Sequence, residues 1–211
     1  VTVEDVTTPV ITCGADVAVD NISGTCEASV TVPAPKVDDN CLTNRGLNLD
    51  GPNDFVDATT TSNNSGVLPQ GDAPRTMEAW VRTTQTSIGN IISWGRRSSN
   101  LRNGMAVRSN KLAFIGQSND YTSTGVNIND GVWHHVAISY DGTTMRFYVD
   151  GNLDYSVNTS NLNTTDQNLR LGNISLPNNG EYFNGDMDEV RIWDVALTGP
   201  QIQANMNNPL S

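Results

Sequence analysis

Long hydrophobic runs are missing from this 211-residue chain, and with them any segment able to cross a bilayer as a helix. Basic residues are scarce: 12 Lys and Arg against 23 Asp and Glu leave a formal charge of −11. That balance excludes nucleic acid and anionic lipid as main partners, because both demand a positive field. Histidine occurs only at His134 and His135, adjacent residues that a strand points to opposite faces, so they cannot share one ion. Their expected role is structural. Cysteine is limited to Cys13, Cys26 and Cys41, all near the start and at no zinc-site spacing, which favours disulfide use and leaves one thiol over. The N-terminus carries neither the basic stretch nor the apolar core of a signal peptide. It begins inside strand-like sequence and reads as an excised piece.

What is present is strand and turn chemistry. Residues 132 to 157 spell three strands with both turns written out: Val-Trp-His-His-Val-Ala-Ile-Ser-Tyr, Asp141-Gly142, Met145-Arg-Phe-Tyr-Val, Asp150-Gly151, Leu153-Asp-Tyr-Ser-Val. Asp-Gly pairs tolerate the positive φ of tight hairpins, and the flanking runs are β-branched or aromatic, so a meander is predicted. Alternation puts His134, Val136, Ile138 and Tyr140 on one face, opposite Trp133, His135, Ala137 and Ser139. Further strands are expected at 47–49, 55–58, 76–83, 91–94, 105–108, 111–115, 169–172 and 187–193. Thr198 and Pro200 mark a short closing helix. The modest apolar content, with frequent Gly, Asn, Thr and Ser, fits an all-β antiparallel sandwich with polar loops at 59–74, 96–104 and 158–168.

The meander motif resembles the central signature of laminin-G-like, concanavalin-A-like lectin domains. Gly46-Leu-Asn-Leu-Asp-Gly-Pro-Asn-Asp-Phe-Val56 resembles the opening strand of that family, and Gly185-Asp-Met-Asp-Glu-Val-Arg-Ile-Trp193 its closing strand. Three motifs in family order imply a jelly-roll β-sandwich over residues 45–211. Residues 1–44 alternate like Ig-type strands, and the run Asp5…Cys13…Cys26…Pro33-Ala-Pro35…Asp39-Asn-Cys41 resembles the first half of a hyalin repeat. If the lectin-like domain is inserted in such a repeat, Cys41 has lost its partner. Cys13 and Cys26 are then expected to pair, with other pairings open. The alternative is that residues 1–44 merely extend an edge of the sandwich.

The resemblance also implies a calcium site between the opening and closing motifs. Asp50 and Asn53 on one side, and Asp186 and Asp188 on the other, offer the hard oxygens that Ca²⁺ takes. Asp188 shares the parity of the core-facing Val190 and Ile192 unless a bulge intervenes, so its carboxylate would need a partner on burial. A competing reading has Asp186 and Asp188 cap a turn or pair with Arg191. Concanavalin-A-like folds also host glycoside hydrolases, which need two carboxylic acids flanking the sugar bond on one face. Here glutamate stops at Glu4, Glu27, Glu78, Glu181 and Glu189, the Glu-x-Asp-x-Glu pattern of those enzymes is missing, and Glu78 has no acidic neighbour at alternating spacing. Hydrolysis is not expected.

The binding chemistry gathers between Arg96 and Lys111, where five of the twelve basic residues fall within sixteen positions: Arg96, Arg97, Arg102, Arg108 and Lys111. Guanidinium forks suit carboxylate and sulfate. A solvated hairpin balanced by nearby Asp is the bland alternative. Trp80 and Trp133 are expected in the core, whereas Trp94 suits either the core or a stacking platform. The expected ligand site is therefore Trp94, Arg96, Arg97, Asn100 and Arg102, joined by Tyr121 and Tyr182 from loops. The expected ligand is a glycan, with an anionic polysaccharide favoured. The reading is a non-catalytic carbohydrate-binding or adhesion module of a secreted or surface protein, monomeric and flanked by other domains. The alternative is a protein-interaction or spacer module.

Overall fold

Turn chemistry and side-chain alternation carry through to the fold. The computed structural model describes residues 46–51, 53–58, 67–165, 168–174 and 180–208, and the backbone alone of 10–12 and 36–38. The chain divides into two compact units, Val1–Arg45 and Gly46–Ser211. In the first, β1 (Val10–Thr12) pairs antiparallel with β2 (Lys36–Asp38), Ile11 opposite Val37. The three cysteines, and so their pairing, lie outside the described residues.

The second unit is the expected antiparallel β-sandwich. Its strands are β3 (Leu47–Leu49), β4 (Val56–Asp57), β5 (Arg75–Arg82), β6 (Gly89–Gly95), β7 (Arg102–Arg108), β8 (Lys111–Phe114) and β9 (Tyr121–Thr122), followed by β10 (Trp133–Tyr140), β11 (Thr144–Val149), β12 (Asn152–Asn158), β13 (Arg170–Leu171) and β14 (Gly185–Trp193). One six-stranded sheet runs β12-β11-β10-β5-β14-β3, the other β4-β13-β6-β7-β8-β9. The meander forms as read: Asp150 and Gly151 both take positive φ, 51° and 74°. At the other turn Asp141 accepts the amides of Thr143 (3.0 Å) and Thr144 (2.8 Å) and the Arg146 guanidinium (2.7 Å). Those bonds, the one from Arg146 foremost, hold the Asp141 carboxyl well below the usual carboxylate range. β9 was not expected; two residues carry no periodicity to detect.

Between the sheets lie Met77, Ala79 and Val81 of β5, Ile92 and Trp94 of β6, Met105 of β7, and Val136, Ile138, Met145 and Phe147 of the meander. Outside the first sheet sits α1 (Gly199–Asn205). Gln201 Oε1 accepts from both the amide and the hydroxyl of Thr198, at 2.9 and 2.8 Å, closing the helix start. Ile202 packs with Leu197, Tyr148 and Ala137, so the outer face of the meander is partly covered as well.

Two placements differ from the sequence expectation. The first is a bulge in β14: Asp188 pairs with Trp80 and Arg191 with Glu78, so Glu189 and Val190 together oppose Ala79. Glu189 takes φ +50° to make it. The extra residue flips the parity ahead of it, so Met187 enters the core and Asp188 joins Trp80 on the outer face. The second is Trp133, which is 38% exposed rather than core, with the Arg82 guanidinium 5.3 Å from its ring centroid. Trp80 is half-buried, its indole N–H donating to Met206 O at 2.8 Å.

Candidate functional site

The loop between β6 and β7 starts at Gly95, whose φ of +84° and 2.3 Å approach of a would-be Cβ to Leu101 O leave room for no other residue. Gly95→Ala is expected to lower stability by about 1–3 kcal/mol, read from the denaturant midpoint. From there Arg96 and Arg97 reach solvent, and the loop turns back at Asn100, φ 63°. It is pinned on both sides. Asn100 N–H is shared by the carbonyls of Gly116 and Gln117 at 3.1 Å, and Asn163 and Thr165 donate to Asn100 O and Leu101 O. Ser99 and Ser118 hydroxyls meet at 3.0 Å. The basic loop is thus a rigid rim of the second sheet.

The outer face of that sheet meets the segment before β14. Asn90 N–H donates to Glu181 O (3.1 Å) and Asn90 forms a parallel bridge with Tyr182. Asn90 Nδ2 reaches both the carbonyl and the carboxylate of Glu181, at 3.1 and 3.0 Å. The same carboxylate meets Arg102 at 2.9 Å and lies 4.0 Å from Arg97. Burial pulls the Arg102 guanidinium below its ordinary pKa, and Glu181 opposes that. Tyr182 completes the segment, its hydroxyl donating to Asn53 Oδ1 at 3.3 Å.

Against the expected ligand set, Arg97, Arg102 and Tyr182 gather around one short segment, and Arg96 and Asn100 lie on the adjoining rim. Trp94 is a correction: it is fully buried and its N–H donates to Pro69 O at 3.2 Å, so no ligand stacks on it. From Ile92 onward β6 alternates, which commits the Trp94 side chain to the core face. Arg102, 1% exposed, belongs to no open loop surface either. Tyr121 lies on β9, packs against the core, and donates to Asn119 Oδ1 at 2.7 Å, within 2.9 Å of the Thr159 hydroxyl. It is apart from Tyr182. Sequence reasoning missed Glu181 and Asn90 as partners of Arg102, because residues 79 and 12 positions away leave no local signal.

Two of the four expected calcium ligands, Asp186 and Asp188, are engaged by protein groups. Asp186 pairs with Asn48, and the Cβ of Asp188 lies 3.4 Å from where a Cβ on Gly46 would stand. Both Asp186 oxygens are already engaged, by Asn48 Nδ2 and Arg82 Nε at 2.7 Å each, and these bonds hold its carboxyl below its ordinary pKa. Asp188 Oδ1 accepts the Glu189 amide at 2.8 Å. The bulge removed the burial that had called for a metal. Among the described residues no group of three or more His, Cys, Asp or Glu is placed to hold an ion.

His134 bonds Asp150 (2.9 Å) and Asp130 (3.2 Å) at the end of the meander, and His135 is buried on the other face. Glu78, the mid-strand glutamate, is fully buried and bonded by Trp193 Nε1 (3.1 Å) and Arg191 (3.4 Å). No helix among the described residues is long and apolar enough to cross a membrane.

Comparison with known proteins agrees with the fold. A curated rat protein, "Sushi, von Willebrand factor type A, EGF and pentraxin domain-containing protein 1", is 25% identical over 151 residues, which cover 66% of this chain and 4% of that protein. Among solved structures, a heptameric SAP-like pentraxin from Limulus polyphemus superposes with a TM-score of 0.55 at 18% identity, covering 67% of this chain and 73% of that one. The CBM40 of Ruminococcus gnavus IT-sialidase, bound to α2,3-sialyllactose, gives a TM-score of 0.51 at 16% identity, covering 63% and 82%. At these identities the likeness establishes the fold. Residues 51–203 match the Laminin_G_3 family, described as the concanavalin A-like lectin/glucanases superfamily, and the chain belongs to that family.

Proposed function

We propose that this domain is a non-catalytic carbohydrate-binding or adhesion module of a larger extracellular protein, with a preference for anionic glycans. The observation that carries the reading is the rigid arginine rim at Arg96 and Arg97 standing beside the Glu181–Tyr182 segment on a lectin-type sandwich. Planar guanidinium donors at a loop rim are what sugar carboxylates and sulfates bind. The sialyllactose held by a fold relative supports it, sialic acid being a carboxylate-bearing sugar. Burial of Glu78 under Arg191 and Trp193 takes that glutamate out of reach of a substrate, which supports binding without hydrolysis. The short share of the rat relative that is matched supports a module among others.

A glycan array read at two salt concentrations tests this. Binding to sulfated or uronic glycans is expected, weakening as salt screens the rim. The variant Arg96→Ala/Arg97→Ala should lose roughly tenfold in affinity, as removal of about 1.4 kcal/mol of charge-assisted contact predicts. An array without any glycan signal would leave the spacer role in its place.

A further inference from the structure

We propose that the outer face of the first sheet carries a second sugar site, a platform for an uncharged pyranose built from Trp133, Arg82, Asp186 and Asn48. It shares the carbohydrate-binding reading above but none of its residues, so the two can fail separately.

The four side chains stand in one row. Trp133 of β10 is the register partner of Arg82 of β5, Arg82 that of Asp186 of β14, and Asp186 that of Asn48 of β3. Val81, Met187 and Leu49, next to the last three along their strands, enter the core, so alternation turns the row outward. Contacts link each member to the next. The Arg82 guanidinium lies over the indole, 5.3 Å from its ring centroid, while Arg82 Nε and Asn48 Nδ2 donate to the two Asp186 oxygens at 2.7 Å each. The row is thus ordered before any ligand arrives, which lowers the cost of binding.

Three of the four tryptophans bond their indole N–H within the protein: Trp80 to Met206 O, Trp94 to Pro69 O and Trp193 to Glu78 Oε1. Trp133 differs. Its N–H has no partner among the described residues, and the residue is 38% exposed. A Cβ on Gly46, just before β3, would stand 3.2 Å from Trp133 Cη2, so the indole lies across the sheet toward the far end of the row. An exposed ring therefore lies along a line of hydrogen-bonding groups.

A sugar ring presents apolar C–H faces and hydroxyls that both donate and accept. The indole suits the C–H face. The Trp133 N–H and the Arg82 guanidinium, its side chain 49% accessible, donate, whereas the remaining lone pairs of Asp186 and the Asn48 amide oxygen accept. Arg82 and Asp186 cancel in charge, so the row gives an anion no advantage, unlike the arginine rim. A protein partner fits it less well. Such interfaces cover about 800 Å² a side and centre on apolar anchors with charge depleted. Here a single ring stands beside an ion pair and an amide.

Affinity electrophoresis through gels holding uncharged polysaccharides, galactomannan, arabinan and β-glucan among them, tests the platform, with heparin as the charged comparison. An uncharged polysaccharide should retard the protein, and added salt should leave that retardation unchanged. Trp133→Ala should weaken it about tenfold, as loss of a stacked ring does. Asn48→Ala, a small change on an edge strand, should weaken it several-fold, and Arg96→Ala/Arg97→Ala should not weaken it. Bound polysaccharide should move the tryptophan emission of the wild type to shorter wavelength and leave that of Trp133→Phe in place. Equal retardation of wild type, Trp133→Ala and Asn48→Ala, or none by any uncharged polysaccharide, would overturn the proposal. Heparin binding that is lost with Arg96 and Arg97 would then leave the rim standing. Uncharged binding that needs Trp133, in a protein indifferent to heparin, does the reverse.

Discussion

Replacing Arg191 by Ala is expected to cost the domain about 3–5 kcal/mol, the penalty of stripping one partner from a buried ion pair. Glu78 is fully buried in the middle of β5, and the β14 bulge brings Arg191 opposite it as a register partner. The guanidinium donates to Glu78 at 3.4 Å and to Glu189 at 2.6 Å, and it also holds the carbonyls of Asn205 and Asn208. Its loss leaves the Glu78 carboxylate with the Trp193 N–H alone and releases the segment after α1. Removing both charges together, as Glu78→Gln/Arg191→Met, should recover most of the loss, because the desolvation penalty disappears with the pair. Urea denaturation checks both. An Arg191→Ala loss under about 1 kcal/mol, the ordinary range for a surface change, would refute the pairing.

Acidification is expected to remove on the order of 3 kcal/mol of stability between pH 6.5 and pH 4 through His135 alone. The imidazole is completely buried between β5 and β11, with the Trp80 ring edge-on at 5.4 Å. Neither ring nitrogen has a hydrogen-bond partner among the described residues, and Glu78 Oε2, at 3.8 Å, is beyond reach. Burial first, and the Arg191 charge second, lower its pKa from 6.5 to about 4, with Asp150 opposing. A base with a depressed folded pKa takes up its proton more readily when unfolded. Its contribution is therefore complete above pH 6.5 and is lost as pH falls through that window to about 4. Asp141 and Asp186, with lowered carboxyl pKa values, withdraw theirs only below that range. His135→Gln should flatten stability between pH 6.5 and 4, and an unchanged slope in that variant would discount the residue.

The fold was legible where chemistry is local. Asp150-Gly151 specifies a positive-φ turn in two residues, and the alternation from His134 to Tyr140 assigns each side chain to a face without knowledge of any partner strand. The same logic erred at Asp188, because the bulge is decided by how β14 must meet both Trp80 and Glu78, residues on another strand. Trp133 was misjudged for a related reason. Its apolar neighbours alternate correctly, but its outward face lies beyond the cover that α1 gives to Ala137 and Tyr148.

The candidate site divides the same way. The arginine run and its polar loop were visible as composition, since charge density needs no fold to be read. Composition is silent on direction: strand parity turns Trp94 inward, and the absent side chain of Gly104 lets Arg102 lie down on the sheet. The sequence by itself determined the antiparallel strands, their turns, the family and the presence of a basic loop, all properties of neighbours in the chain. Only the tertiary structure decided that Glu181 meets Arg102, that Asn48 and Arg82 take up Asp186, and that Glu78 is sealed under Arg191. Each of these depends on which strands become neighbours and in what register, and those terms are set by packing across the sheets rather than along the chain.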